Sequence, residues 1–181
     1  MKNTFAEMIR QSLKDTHETL ESTMNGVTDE VAHWQPAGKA LPIAAAYAHV
    51  IVSEDVMLSN WVKKTKSLVE GDWGSKLGLS APHPAMDQNW EKNFAEWSKT
   101  VKVDLEKLKE YAQAVYKQSD EFLAGLSDKD MVNKKVDLSM WQMGEWPLAR
   151  FVMRFLIGHV DSLTGEISAV KGLQGLKGYP F

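Results

Sequence analysis

Apolar residues recur at helical spacing in four long stretches of the chain. In the first, from about Asn3 to Met24, Phe5, Met8, Ile9, Leu13, Leu20 and Met24 fall on one face. Asn25-Gly26 closes it, because glycine accepts the left-handed backbone that ends many helices. Thr28 is placed to cap a short turn, Thr28-Asp29-Glu30-Val31. The second stretch begins near Leu41, accepts Pro42 in its first turn, and ends between Lys66 and Glu70. Ala45, Ala48, His49, Val52 and Val56 share its face, and Ala44, Ala45, Ala46 and Ala48 let another helix approach closely. The third spans about Val101 to Leu126, with Leu105, Leu108, Ala112, Val115, Ser119, Phe122 and Leu126 on its stripe. A short helix around Asn89–Trp97 precedes it, and Ser127-Asp128-Lys129-Asp130 follows as a capping box. The fourth begins at Trp146-Pro147 and runs to Val170 with a broad apolar face: Leu148, Phe151, Val152, Phe155, Leu156, His159, Leu163, Ile167 and Val170.

The intervals between these stretches complete the architecture. Gly71 to about Gln88 is rich in glycine and proline (Gly74, Gly78, Pro82, Pro84). Uninterrupted loops of that length are uncommon, and a bundle with parallel neighbours needs one as a crossover. An active-site lid is the alternative use. Met131 to Gly144 is polar and irregular, with extended structure at Lys135–Leu138. The tail from Gly172 to Phe181 has too many glycines for a stable helix, and its apolar residues predict that it packs back on the bundle. The pattern predicts one all-α domain over residues 1–181: a four-helix bundle with a long crossover between helices 2 and 3. Helices one and two, and three and four, then bring their ends together through shorter connections.

Composition narrows the function. At 181 residues the chain has the size of one domain, and 44% hydrophobic with 25% charged residues is ordinary for a soluble globular protein. A net charge of −3 gives no general attraction to nucleic acid or an anionic membrane. The densest basic run, Lys63-Lys64-Thr65-Lys66, suits the end of a helix. With no cysteine, disulfides, thiolate metal sites and a cysteine nucleophile are excluded, which fits a reducing cytoplasm. The first residues run straight into an amphipathic segment, so no signal peptide is expected. No stretch reaches ~18 apolar residues, so no membrane span is expected. Phosphate loops, dinucleotide fingerprints, the G-x-S-x-G elbow and H-E-x-x-H are all missing.

Two histidines occupy positions where apolar side chains are expected. His49 is surrounded at helical spacing by Ala45, Val52 and Val56, and His159 by Val152, Leu156 and Leu163. Both rings therefore face inward, and the fold is able to bring them together. Taken alone, each reads as a buried histidine hydrogen-bonded to a neighbour. Metal ligation needs a neutral ring with one free nitrogen and its other N–H held by an acceptor. A site built on His49 and His159 needs a third donor, with Glu166, Ser53 and His17 as candidates; one turn beyond His159 stands Leu163, which cannot bind a metal. His33 and His83 lie in turn and loop contexts and read as surface residues. Seven tryptophans cluster in and around the connections, as core and cap packing, an aromatic-lined pocket or a dimer surface.

Trp34-Gln35-Pro36, the run from Pro42-Ile43 to Ala48-His49, Gly165-Glu166-Ile167 and the close Lys171-Gly172-Leu173-Gln174-Gly175-Leu176-Lys177-Gly178-Tyr179-Pro180-Phe181 together resemble the DinB-like (YfiT-like) superfamily of bacterial four-helix bundles, over nearly the whole chain. The resemblance implies a homodimer and a divalent metal, nickel or zinc, held by three histidines. His49 matches the one from the second helix, His159 the first of two on the fourth, and Leu163 occupies the position of the second. The cofactor is accordingly a divalent metal, or none because the third histidine is absent. Members with known activity include thiol-dependent transferases and an isomerase that use low-molecular-weight thiols, and many members have no assigned reaction. The resemblance thus implies a protein of unassigned reaction with a partial histidine metal pocket at His49 and His159, and thiol transfer as the activity to test. The alternative is a non-catalytic small-molecule-binding or dimerisation module that has lost the metal site. Nucleic acid and membrane are not expected partners.

Overall fold

The computed structural model describes residues 4–181; the expected helix start at Asn3 lies outside the described residues. Helix α1 (Phe5–Thr23) begins where the Thr4 side chain accepts the Glu7 N–H at 3.2 Å, and it buries Ile9, Leu13, His17 and Leu20 along one face. Thr28 caps the short α2 (Asp29–His33) in the same way, as its spacing predicts. Helix α3 (Ile43–Val56) is different in kind. It is buried on nearly every side, with Ala44, Ala45, Ala46 and Ala48 all at 1% exposure or below, so its neighbours pack close to its backbone. It continues as a wider π-helical turn, Met57–Lys63, and stops at Lys64, whose φ of 56° is left-handed. The second long helix therefore ends at Lys63, short of the expected Lys66 to Glu70.

A long connection (64–89) leads to α4 (Trp90–Thr100), the short helix expected near Asn89–Trp97. Gly78 lies in it with φ +80°, and a Cβ there would come within 2.9 Å of Asp104 and Lys107, so only glycine fits this turn. Val101 and Val103 are extended rather than helical, and Leu79 pairs with Val103 in an isolated bridge. The third long helix, α5 (Leu105–Ala124), consequently begins later than Val101, where Asp104 caps it by accepting the Lys107 N–H at 3.2 Å. Helix α6 (Asp128–Asn133) opens with the predicted capping box at Ser127 and Asp130.

The expected extended stretch is strand β1 (Lys135–Asp137), and its partner is β2 (Glu145–Pro147), antiparallel, with Val136 opposite Trp146. Trp146-Pro147 thus closes a hairpin instead of opening the fourth helix. That helix runs from Leu148 without interruption through α7 (Leu148–Phe151), a second π-helical turn (Val152–Ile157) and α8 (Gly158–Leu173).

The fold is all-α apart from the hairpin. Helix α1 packs against α5 and α8, and α3 packs against the same two, so α1 and α3 face each other across the interior. One buried cluster surrounds Tyr47, Ile51, Leu108 and Tyr111, and a second surrounds Leu13, Leu58, Phe151 and Leu156. Lys171 reaches from α8 to donate to the carbonyl oxygens of Thr23 and Asn25, groups left free where α1 ends. The tail folds back on α8: a Cβ on Gly178 would lie 2.7 Å from the Ser168 carbonyl oxygen. Among the described residues no helix is long and apolar enough to cross a membrane.

Candidate functional site

His49, in the middle of α3, and His159, in the first turn of α8, meet as expected, with ring centroids 5.1 Å apart and planes nearly perpendicular. His159 follows directly on a π-helical turn (Val152–Ile157), a local widening that recurs at functional sites. A π-turn shifts the side chains that follow it around the helix axis, so the turn ending at Ile157 helps set the direction in which His159 points.

The third member of the cluster is His83, which corrects its expected place as a surface residue. It sits in the connection between Pro82 and Pro84, whose rings restrict the backbone on either side of it. Its Nε2 lies 2.9 Å from Nδ1 of His49, with the two rings within 7° of parallel, so one of these nitrogens carries the proton and the other accepts it. Ser53, one turn along α3, brings its hydroxyl to 3.2 Å from the same Nδ1. Trp90, Phe94 and Trp97 of α4 pack over the cluster: Phe94 lies 4.7 Å from the His49 ring, and Trp97 stands edge-on 5.0 Å from His83.

This apolar cover has an electrostatic consequence. Burial pushes the His49 ring down to about 2, and His159 and His83 add to the shift. Burial takes His83 down to about 4, against a backbone hydrogen bond at Pro84 that acts the other way. Burial also lowers His159, opposed by Glu54 and reinforced by Arg154. The rings are therefore neutral near pH 7. Nδ1 of His159 is buried with no hydrogen-bond partner.

The other candidate ligands stand elsewhere. Leu163 is buried at 7% exposure as part of the core, and Glu166 is exposed at the surface. His17 is buried on α1, where its Nε2 lies 2.8 Å from Glu54 Oε2 and its ring stacks on Tyr116. His33, expected at the surface, has a largely covered ring that bonds the Asp29 carbonyl and accepts the Val103 N–H at 3.0 Å, tying α2 to the start of α5. Three neutral imidazoles are suitable metal donors in kind, but their arrangement is not. The His49 and His83 nitrogens are directed at each other, Leu163 offers no donor, and no group of three or more histidine, aspartate or glutamate side chains among the described residues is disposed to hold a metal ion. The residues present do not fit the three-histidine metal that the resemblance implies.

The cluster borders a cavity of about 630 Å³ between the end of α3 with its π-turn and the connection. Val52, Val56, Trp61, Leu77 and Leu79 give it apolar walls, and Ser53, Asn60, Glu70, Ser80 and His83 are its polar groups. Asn60 Oδ1 is buried without a partner, and the Asn60 side chain lies near enough to Glu70 to help lower its carboxyl pKa. Sequence reasoning missed Asn60 and Glu70, which it assigned simply to the end of the second helix, and it missed Glu54 and Asp55. The available signal for the last two was the presence of acids inside an otherwise apolar helix, α3.

The sequence profile of the DinB superfamily matches residues 12–162. Among solved structures, the chain is similar to a conserved protein from Enterococcus faecalis, with a TM-score of 0.77 and 17% identity over 94% of this chain and 96% of the other. It is also similar to an uncharacterized protein from Clostridium difficile 630, with a TM-score of 0.63 and 13% identity over 96% of this chain and 98% of the other. At these identities the likeness is one of fold. No curated protein matches the chain.

Proposed function

We propose, for a chain that belongs to the DinB superfamily, that the cavity beside His83 binds a small, largely apolar molecule and does so without a resident metal. The observation that carries this reading is the convergence of a few polar side chains, Ser53, Asn60, Glu70, Ser80 and His83, on a cavity with apolar walls, with an acceptor of Asn60 left unused. A buried acceptor without a partner costs free energy that a ligand donor recovers.

The same imidazoles argue for binding over acid–base catalysis. A general base works best when its pKa lies near the operating pH. Rings at about 2 and about 4 accept a proton from a thiol or alcohol only at a large energetic cost. They serve instead as neutral hydrogen-bonding groups that orient what enters the cavity.

Titration with benzyl alcohol, followed by the histidine and tryptophan side-chain resonances, tests the reading. Saturable shifts at His83 and Trp61 are expected, and Ala81→Phe, which narrows the cavity, is expected to abolish them. Absence of saturable binding overturns the cavity as a site. Metal content of untagged protein by elemental mass spectrometry, beside His49→Ala, tests the metal-free half. No stoichiometric metal is expected. Near-stoichiometric nickel or zinc, lost in the variant, overturns it and calls for thiol-transferase assays.

A further inference from the structure

The charge of the cavity is one-sided. Its lining contains one acidic side chain, the solvent-exposed Glu70, and neither lysine nor arginine. The backbone N–H and hydroxyl of Ser67 both donate to Glu70 Oε2, at 3.0 and 2.7 Å, and the nearby Asn60 side chain adds to their effect. These bonds hold the Glu70 carboxyl below its ordinary range, with Lys66 making only the smallest contribution, so it is ionised at neutral pH. His83, the remaining ionisable group of the lining, is neutral there. The hydrogen-bonding inventory leans the same way: the Glu70 carboxylate and the buried Asn60 Oδ1 are both acceptors. Both side chains line the cavity, and the Asn60 side chain lies near enough to Glu70 to help lower its carboxyl pKa.

From these placements we infer that the cavity takes a small organic cation, an ammonium group on an apolar body, with the charged end at Glu70 and Asn60 and the body against Val52, Val56 and Trp61. An ammonium brings a donor for the unpartnered Asn60 oxygen and the charge that Glu70 complements, and Trp61 lines the cavity beside its carbon stem. A carboxylate or phosphate of the same size would meet Glu70 with no cation in the lining to offset it. The inference rests on the reading of the cavity as a binding site, and the two fail separately.

Three probes of one shape test it: benzylamine, benzyl alcohol and benzoate, each titrated into the full chain at pH 7.5 and low salt. Benzylamine is expected to bind about tenfold tighter than benzyl alcohol, and benzoate more weakly than either. Glu70→Gln is expected to bring the amine to within about threefold of the alcohol while leaving the alcohol's affinity unchanged, which also reports that the cavity is intact. Glu145→Gln, at an exposed carboxylate on β2, is expected to leave the preference as it was, setting aside general attraction to an acidic surface. Equal binding of amine and alcohol, a preference for benzoate, or an amine preference that survives Glu70→Gln overturns the cation inference while the binding site stands. Failure of all three probes to bind overturns the binding site and the inference with it.

Discussion

Ser53 and Glu54 are neighbours on α3 but face different surroundings. Glu54 turns to the bundle interior, where Oε1 accepts from the Ser119 hydroxyl at 2.6 Å and Oε2 lies 2.8 Å from His17. Beside it, Asp55 is fully buried and accepts from the N–H groups of Leu68 and Val69, the Tyr111 hydroxyl, the Gln118 amide and the Ser59 hydroxyl. A third acid, Glu21, receives the hydroxyls of both Tyr47 and Tyr116 at 2.8 Å. Ser53 turns instead to the imidazole cluster, where His159 Nδ1 and, across the cavity, Asn60 Oδ1 have no partner. Buried polar groups are almost always paired. The networks around Glu54, Asp55 and Glu21 obey that rule; the imidazole pocket breaks it beside an open cavity, and Ser168 Oγ, where the tail packs on α8, is the one other break among the described residues. One region spends its polar groups on holding the bundle together, and the other keeps some free for a guest.

Removing a hub of the satisfied region is expected to have the largest effect. Asp55→Ala leaves several buried donors without an acceptor, which is expected to cost about 3–5 kcal/mol in urea unfolding. Because Asp55 also pins Leu68 and Val69, amide exchange at those two residues is expected to accelerate beyond the change in global stability. A cost under about 1 kcal/mol would mean that this network is not what fixes the start of the connection.

The histidines of the pocket give stability a pH dependence of definite sign. His49 and His83 hold pKa values of about 2 and about 4 in the fold, below the ordinary 6.5, so the unfolded chain takes up protons more readily. Their contribution to stability is complete above pH 6.5 and is lost as pH falls from there toward those values. At pH 5 the loss is about 2 kcal/mol for each ring. The lowered carboxyls, Glu70, Asp104, Asp120, Asp130 and Asp137, lose their contribution at more acidic pH, since their ordinary values lie at 4.5 or below. The window between pH 6.5 and 5 therefore lies above the range in which these carboxyls act. Urea unfolding at both pH values, repeated on His83→Asn, is expected to show the slope and its reduction; a flat profile would mean that the rings are solvated.

How far the two regions could be foreseen follows from the same contrast. On α8, one apolar stripe fixes the inward face, so His159 was legible from spacing alone. On α3 the helix is apolar nearly all round, so periodicity pointed His49 inward but gave no direction for Glu54 and Asp55, whose partners come from α1, α5 and the connection. His83 had no period to read. It lies in a loop between two prolines, and only the tertiary path of the connection carries it to His49. Trp146-Pro147 is extended and not helical because strand β1 pairs with it across the hairpin, a contact that local periodicity does not carry. Local pattern thus yielded the helices and one side of the site, whereas long-range contacts decided its other side and the boundaries.

Leu163→His is the next sharpest test, because it places a donor one turn beyond His159 and adds the ligand that the superfamily resemblance expects. Nickel or zinc affinity, measured by competition with a chelator, is expected to rise by about tenfold or more over the native chain. No gain would mean that the core around this 7% exposed position directs its side chain away from the imidazoles.

The smallest expected effect is also the most direct comparison of the two regions. Ser53→Ala removes one hydroxyl at 3.2 Å from His49 Nδ1, a contact that the ring already supplements with His83 at 2.9 Å. With that second partner in place, no buried donor is stranded, and the loss is expected to be about 0.5–1 kcal/mol. Glu54→Ala, one residue along, strands both Ser119 and His17 and is expected to cost at least about twice as much, read from urea midpoints at constant slope. If the two substitutions cost the same, burial on α3 alone sets the penalty, and the distinction between a satisfied interior and a pocket with spare hydrogen-bonding capacity loses its energetic basis. If Ser53→Ala is near neutral for stability yet weakens benzyl alcohol binding, the hydroxyl belongs to the pocket's guest more than to its frame.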